Sequence, residues 1–212
     1  VLREKRAMTM EVTKAEVIEP GWSPETTEAP EELPEDERTV PELIQALSDQ
    51  SAKARARAAL ALGTKGDKQA VPHLIQALGD KSPKVREAAA WALGRLGDEQ
   101  AVPHLIQALN DKRWQMRAKA VEALGYIGDK SALPHLVRAL NDRKSGVRMV
   151  AAEALARLGD KRAVPHLAQA LNTNRGRVLL KVGWALGRLG GVFELSRALK
   201  DRNWKVRKAA VV

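Results

Sequence analysis

The chain has 212 residues, of which 44% are hydrophobic, so it is long enough to bury a sizeable core as one large domain or two small ones. It contains no Cys, which excludes disulfides, thiolate metal sites and a Cys nucleophile. The net charge of +10 is unevenly distributed, because residues 11–37 hold ten acidic residues and one Lys, and the remainder carries +19. This asymmetry predicts an acidic protein partner, a nucleic acid, or the acidic segment itself as occupant of the basic surface.

Residues 1–38 are predicted to form an acidic, Pro-rich arm. They hold four of the ten prolines and few large apolar residues after Ile18, a composition typical of disordered or extended segments. A short helix over residues 2–18 is the one element expected there. The chain has no apolar run long enough to span a membrane and no segment of signal-peptide type, so we expect a soluble, cytoplasmic protein.

From residue 40 onward the sequence repeats every 31 residues. The segment "VPHLIQAL" begins at 71 and 102, close relatives begin at 40, 133 and 164, and a partial unit with "VFELSRAL" begins at 192, only 28 residues after its predecessor. Such a period predicts a stacked array of helical units. The repeat domain is predicted over residues 39–212, with units near 39–66, 67–97, 98–128, 129–159, 160–190 and 191–212.

Each unit is predicted to contain two helices. Helix A begins at the Pro, which suits a first helical turn, and helix B of the second unit runs from about Pro83 to Leu96. Ser82 is the expected N-cap, and Gly97 the expected left-handed C-cap. The apolar positions of this helix B that should face inward are Val85, Ala89, Ala92, Leu93 and Leu96. Because one pair cannot hide its apolar faces alone, the predicted fold is all-α, an α-solenoid of about five and a half helical hairpins.

The pattern "DKxAVPHLIQALxDxxxxVRxxAAxALGxLG" resembles the HEAT-like repeats of the phycobilisome-lyase type over about residues 38–212. The resemblance implies the fold, whereas proteins with these repeats include bilin lyases, phycobilisome degradation factors, scaffolds and designed binders. It also implies a ladder in which a turn Asp and an Arg early in helix B bond along the stack. The residues of this ladder are Asp80, Arg86, Asp111, Arg117, Asp142 and Arg148, with Asp49/Arg55 and Asp201/Arg207 at the same separation. The fifth unit has Thr173 and Leu179 instead, a joint loss that a paired contact predicts, and we expect a change of curvature there.

Six positions of each helix B are expected to project onto the concave surface, and in the second unit these are Pro83, Lys84, Glu87, Ala88, Trp91 and Arg95. Across the units they hold eleven cations, opposed only by Glu87, Glu122 and Glu153, and five of the seven aromatic residues of the chain. Aromatic and Arg side chains dominate binding hot spots, so this surface is the predicted partner-binding site. Its proposed residues are Trp91, Arg95, Trp114, Lys119, Tyr126, Arg157, Lys181, Trp184, Arg188 and Trp204. In the alternative interpretation the Trp residues pack against neighbouring B helices, and Trp204 covers the end of the stack.

No arrangement of residues predicts catalysis, a cofactor or a metal site. His73, His104, His135 and His166 recur once per unit, but they would lie roughly 10 Å apart without a carboxylate at ligand spacing. Glu122 and Glu153 share one position between Trp91 and Trp184, where a carboxylate could act as general acid or base, as in the HEAT-like alkylpurine DNA glycosylases that this region loosely resembles. In the alternative they balance nearby Arg residues.

The leading functional hypothesis is therefore a non-enzymatic scaffold that grips an acidic partner protein. One alternative is a phycobilin lyase or chromophore-handling subunit, whose basic groove would hold the propionates of a tetrapyrrole. The other is a nucleic-acid-binding protein, with cations on phosphates and Trp stacked on unpaired bases. The acidic arm occupies the same groove, contacts a separate partner, or is a solvated tail.

Overall fold

A computed structural model describes residues 38–174 and 176–211. The predictions for residues 1–37, namely the arm, its short helix and its contact with the basic surface, lie outside the described residues. The described part contains twelve α-helices arranged as six successive pairs, which confirms the predicted all-α solenoid. The A helices are α1 Val40–Ala46, α3 Val71–Ala77, α5 Val102–Ala108, α7 Leu133–Ala139, α9 Val164–Thr173 and α11 Val192–Ala198. The B helices are α2 Ala52–Lys65, α4 Pro83–Leu96, α6 Trp114–Ile127, α8 Ser145–Leu158, α10 Arg177–Arg188 and α12 Trp204–Ala209.

Local sequence signals define the helix ends. Helix α4 has the predicted bounds and ends at Gly97, whose φ of 64° is the left-handed conformation that favours glycine. Ser82 is at the N-cap, as predicted, but its side chain makes no capping hydrogen bond. Its backbone N–H instead donates to Oδ1 of Asp80 at 2.7 Å. The turn aspartate, two residues earlier, therefore organises the start of helix B.

A short 3₁₀ helix precedes the A helix in units two to five, a feature that the sequence analysis did not predict. These segments are Lys68–Ala70, Glu99–Ala101, Lys130–Ala132 and Lys161–Ala163. In each case the Asp just before the segment accepts a hydrogen bond from the backbone N–H two residues later, as Asp67 does from Gln69 at 2.9 Å. In the first four units the closing Gly-Asp dipeptide therefore ends helix B with its Gly and begins the next unit with its Asp.

Successive B helices pack through small residues and form the centre of the stack. A Cβ placed on Gly94 would lie 2.8 Å from the Cα of Ala123, and one on Gly125 would lie 2.7 Å from the Cβ of Ala154. Helices α4, α6 and α8 can therefore approach closely only because these positions lack a side chain. Successive A helices approach one another less closely than successive B helices do. The leucines of both helices fill the space between them, and Leu74, Leu93, Leu105 and Leu124 are fully buried.

The Asp–Arg ladder exists, but its side chains pair between units. The guanidinium of Arg117 donates to both carboxylate oxygens of Asp142, 25 residues later, at 2.7 and 2.8 Å. Toward its own unit it donates to the backbone carbonyl of Asp111, six residues earlier, at 2.9 Å. Arg55 binds both carboxylate oxygens of Asp80 in the same manner, whereas Arg86 donates to Oδ2 of Asp111 alone, through Nε at 3.0 Å. The ladder therefore bonds along the stack, as the resemblance implies, with its ion pairs between residues 25 apart, while residues six apart meet through the backbone carbonyl of the Asp.

The fifth unit departs from the others at this ladder. Arg148 has no aspartate opposite it and donates to Oδ1 of Asn174 at 2.8 Å, and Asn174 itself is buried. Leu179 occupies the next arginine position and is buried as well. Helix α9 is lengthened to ten residues, whereas the other A helices have seven. The predicted change of curvature at this unit stays a prediction.

Candidate functional site: the B-helix face

Two parallel rows of side chains cross four consecutive B helices, α4, α6, α8 and α10. One position, near the end of each helix, holds Arg95, Tyr126, Arg157 and Arg188, all of them exposed. The position one turn earlier holds Trp91, Glu122, Glu153 and Trp184, all of them partly buried. With the flanking Lys119 and Lys181, these ten residues are called the B-helix face. Eight of them belong to the predicted partner-binding set, and the two glutamates are the additional members.

Cations on this face lie against aromatic rings. The guanidinium carbon of Arg95 is 5.2 Å from the ring centre of Trp91, and that of Arg157 is 4.6 Å from the ring centre of Tyr126 in the preceding unit. The Trp184 ring contacts both the Lys181 ammonium, at 5.7 Å, and the Arg188 guanidinium, at 5.3 Å. Such contacts hold a guanidinium in a defined orientation while its N–H groups stay available for an anion.

The two glutamates of the B-helix face are ion-pair partners. Oε2 of Glu122 lies 3.0 Å from Nζ of Lys119 in the same helix. Glu153 lies 2.5 Å from Nζ of Lys181 in the next unit, and its other oxygen is 4.0 Å from the Arg157 guanidinium. This arrangement agrees with the charge-balancing alternative for both residues. It also means that Lys119 and Lys181 are partly neutralised, and that Arg157 has a long contact with Glu153. Among the described residues of this face, Arg95 and Arg188 are therefore the cations most available to a ligand.

Glu87, one helical turn before Trp91, is partly buried like Glu122 and Glu153. Burial raises the pKa of its carboxyl, and the positive charges of Arg113, Lys119 and Arg86 act in the opposite direction. Ala88, which was expected to project from the same helix, is buried, because helix B turns this position toward the core. Ala88 was therefore wrongly assigned to the surface.

Two of the tryptophans, Trp91 and Trp184, are partly buried against the core, whereas Trp114 and Trp204 are exposed. A Cβ placed on Gly63 of α2 would lie 3.0 Å from the ring edge of Trp91. A Cβ placed on Gly146 of α8 would lie at the same distance from the ring of Trp114. Trp91 and Trp184 both pack against the hydrophobic core, so the alternative of packing between B helices holds for part of their surface. Trp114 and Trp204 are 38% and 58% exposed. A contact that the sequence analysis missed is Arg197 over Phe193, at 6.0 Å in the last unit.

The four recurrent histidines lie on the A helices, away from the B-helix face. His104 lines a cavity of about 450 Å³ between α3 and α5, together with Ile75 and Asp111. His135 lines an equivalent cavity of about 200 Å³ between α5 and α7. Within residues 38–174 and 176–211, no group of three or more His, Asp or Glu side chains is placed to hold a metal ion. No helix in that described part is long and apolar enough to cross a membrane.

The stacked helix pairs and their ladder define an α-solenoid of the HEAT class. The family of HEAT repeats matches residues 40–115 and 102–187, so the chain belongs to the HEAT-repeat family. Comparison with curated protein sequences gave no match.

Among solved structures, the chain is similar to the complex of CpcE and CpcF of phycocyanin lyase from Nostoc sp. PCC7120. The sequence identity is 28%, the TM-score is 0.64, and the alignment covers 82% of this chain and 74% of the other. It is similar to E. coli YibA at 24% identity and a TM-score of 0.60, covering 82% and 69% of the two chains. A designed armadillo repeat protein in complex with the peptide (KR)4 aligns at 20% identity and a TM-score of 0.61, covering 82% and 97%. The last two similarities concern the fold alone.

Proposed function

We propose that the protein is a binding scaffold whose B-helix face, on the concave side of the solenoid, grips an acidic segment of a partner protein. The observation that carries the proposal is that Arg95, Arg157 and Arg188 are exposed at the same position of their units and that each is stacked on an aromatic ring. The closer spacing of B helices than of A helices supports a concave surface on this side, because such packing bends a stack toward its tighter face. Pre-oriented guanidinium groups lose little side-chain entropy when they bind a carboxylate.

The spacing of the row limits what it can bind. Packed helices lie about 8–10 Å apart, so successive units present a side chain of the arginine row at about that interval. An extended peptide advances about 3.3 Å per residue, so carboxylates three residues apart would match neighbouring units. Tyr126 interrupts the arginines, so acids that face Arg95 and Arg157 would lie about six residues apart, with an apolar residue between them against the Tyr126 ring. The preferred ligand is therefore an extended segment whose acidic residues are separated by multiples of about three positions.

A labelled peptide tests this proposal directly. The probe is a fluorescein-labelled (Glu-Ser-Leu)4 peptide, compared with a peptide of the same composition whose four Glu residues are adjacent, and binding is measured by fluorescence anisotropy. We expect the spaced peptide to bind more tightly. The double variant Arg95→Glu plus Arg188→Glu should weaken its binding by about tenfold or more, because each lost charged contact contributes about 1.5–3 kcal/mol.

The matched control is Arg138→Glu plus Lys161→Glu, which makes the same charge change at exposed positions outside the B helices. Equal weakening by both double variants would mean that only the net charge matters, and would contradict the proposal. Tight binding of (Arg-Ser-Leu)4 would contradict it as well. Charge variants are preferred to Trp91→Ala, since Trp91 packs on Gly63 and its loss would disturb the stack.

A second candidate function is chromophore handling, which the similarity to the phycocyanin lyase complex supports. In this function Arg95, Arg157 or Arg188 would bind the propionates of a tetrapyrrole, and Trp91 or Trp184 would contact its rings. Titration of phycocyanobilin into the protein should then shift and sharpen its visible absorption, and Arg95→Glu plus Arg188→Glu should abolish the shift. An unchanged spectrum would dismiss this candidate. If a single-stranded oligonucleotide instead binds with a steep salt dependence, the nucleic-acid alternative is favoured.

A further inference from the structure

The turns that join helix A to helix B in units three and four carry four exposed cations beside one tryptophan. The turn before α6 contributes Lys112 and Arg113, and Trp114 begins the helix that follows. The turn before α8 contributes Arg143 and Lys144. These five residues are called the turn cluster. Nη2 of Arg143 donates a hydrogen bond to the backbone carbonyl of Lys112 at 3.4 Å, so the two turns are joined and form one surface.

The carboxylates of these two turns are already paired with ladder arginines. Oδ2 of Asp111 accepts a hydrogen bond from Nε of Arg86 at 3.0 Å, and its Oδ1 accepts the backbone N–H of Arg113 at 2.7 Å. Both carboxylate oxygens of Asp142 accept hydrogen bonds from Arg117. Among the described residues, none of the four cations of the turn cluster forms an ion pair with a carboxylate. The turn cluster therefore carries an excess of positive charge that the ladder does not neutralise.

Two of these cations occupy helix N-termini, where a positive charge lowers stability. Arg113 is the N-cap residue of α6 and Lys144 is that of α8, and neither side chain makes a capping hydrogen bond. The N-cap position favours Ser, Thr, Asp or Asn, and the helix dipole places a partial positive charge there. The first two units have Ser51 and Ser82 at this position. Residues that break a local rule in this way often mark binding sites, and a bound anion would remove the unfavourable interaction.

Trp114 adds an aromatic surface to the turn cluster. The residue is 38% exposed, and a Cβ placed on Gly146 would lie 3.0 Å from the edge of its six-membered ring. Contact with the start of α8 therefore fixes the orientation of the ring and leaves part of it open. The equivalent residues of the neighbouring units are Pro83 and Ser145, so an aromatic ring is not required to begin helix B. Trp114 belongs to the predicted partner-binding set, but it lies outside the B-helix face.

Cations beside a fixed aromatic ring match the chemistry of a single-stranded nucleic acid. Lys and Arg bind the phosphates, and unpaired bases stack on aromatic side chains with little regard to sequence. In a duplex the bases are stacked on one another, so their faces are not accessible to the ring. An anionic membrane would require apolar side chains that project beyond the surface, whereas Trp114 is held against Gly146. Exposed Lys84 and Arg177, at the starts of α4 and α10, provide phosphate contacts for a longer strand.

We propose that the turn cluster binds single-stranded DNA or RNA without sequence preference, with phosphates on its four cations and a base against Trp114. The site recognises the chemistry that both polymers share, which is a phosphate backbone with unpaired bases. It differs from the nucleic-acid alternative considered above, which places the strand on the B-helix face. The inference is independent of peptide binding by that face, because the two sets of residues do not overlap.

Fluorescence anisotropy of a labelled twelve-nucleotide oligothymidylate, with the full chain at several salt concentrations, tests the proposal. We expect this probe and the corresponding oligouridylate both to bind. Four phosphate contacts on a single strand predict a slope of about −3 for log K against log salt concentration. The variant Arg113→Ser plus Lys144→Ser, which restores the Ser of the first two units, should weaken binding by about tenfold or more and make the slope shallower by about 1.4. It should also melt at a higher temperature than wild type, because it removes two cations from helix N-termini, and a lower melting temperature would contradict the reasoning.

Trp114→Leu tests the contribution of the aromatic ring. The Leu side chain still covers Gly146 but has no ring on which a base can stack, so binding should weaken by about tenfold while the slope stays unchanged. Circular dichroism verifies that the variant is folded. Binding as tight as that of wild type would refute the role of Trp114.

Two matched controls make the same charge change as Arg113→Ser plus Lys144→Ser at other exposed positions. Arg138→Ser plus Lys161→Ser lies outside the B helices, Arg95→Ser plus Arg188→Ser lies on the B-helix face, and both should bind nearly as tightly as wild type. Equal weakening in all three double variants, loss of binding in the B-helix-face variant, or a wild-type chain that does not bind would each overturn the proposal. Tighter binding of a duplex, or binding to phosphatidylserine vesicles without binding to the oligonucleotide, would overturn it as well.

Discussion

Substitution of Gly125 by Ala tests whether the close contact between B helices determines stability. The added Cβ would lie 2.7 Å from the Cβ and 2.8 Å from the Cα of Ala154, whereas carbon atoms normally approach to about 3.5–4.0 Å. Helices α6 and α8 would have to separate by about 1 Å. Overpacking of this kind costs about 1–3 kcal/mol, and replacing a helical Gly offsets about 0.5–1 kcal/mol. We therefore expect Gly125→Ala to lower the free energy of unfolding by about 1–2 kcal/mol.

Gly187→Ala is the matched control in helix α10. Its nearest neighbour would be a Leu195 methyl carbon at 4.0 Å, so only the gain in helix propensity applies and we expect stabilisation by about 0.5–1 kcal/mol. Urea unfolding followed by circular dichroism measures both variants. If the transition splits, as repeat arrays can, hydrogen exchange of the amides in α6 and α8 gives the local free energy. A Gly125→Ala protein that is as stable as Gly187→Ala would refute the packing argument.

Three further predictions concern the ladder, the turns and the helix ends. Arg117→Ala should lower the free energy of unfolding in urea by about 3 kcal/mol, because it leaves the carboxylate of Asp142 unpaired. Arg148→Ala should lower it by less, because its partner Asn174 is neutral. A larger loss for Arg148→Ala than for Arg117→Ala would contradict this reasoning. Hydrogen bonds from Arg162 hold the pKa of Asp160 at about 2, against an ordinary 3.8. This pKa is lower in the folded state, so the stabilisation is complete above about pH 4 and is lost as the pH falls toward 2. The difference in melting temperature between wild type and Asp160→Asn should narrow over that range, and a constant difference would exclude this linkage. Gly97→Ala should lower the free energy of unfolding by about 1 kcal/mol, because the φ of 64° at this position is unfavourable for any residue with a Cβ. Thermal unfolding measures the change, and an unchanged stability would contradict a requirement for the left-handed conformation.

The helices and their order could be predicted from the sequence because their signals are local. Pro at the start of helix A, Gly at the end of helix B and a 31-residue period are visible without any tertiary information. The bounds of α4 follow directly from Pro83 and Gly97, and all five apolar residues predicted to face inward there are buried. The 3₁₀ segments were missed, although an Asp before each of them was present in the repeat pattern.

The ladder could not be assigned from the period. Each ladder Arg follows the Asp of its own unit by six residues and precedes the Asp of the next unit by 25, because the period is 31 residues. The sequence pattern is therefore equally consistent with an ion pair inside one unit and with an ion pair between two units. Stacking decided between them: Arg55 reaches the carboxylate of Asp80 and only the backbone of Asp49. The compensation by Asn174 for the missing aspartate was likewise invisible, because it lies one position away from the repeat.

The sequence by itself determined that this chain forms repeated helical hairpins with arginines and aromatic residues at fixed positions of helix B. Only the tertiary structure decided how much of each ring is covered and which cations are neutralised by Glu122 and Glu153. The reason is that helix formation depends on neighbours along the chain, whereas burial and ion pairing depend on the side chains that the adjacent unit brings into contact.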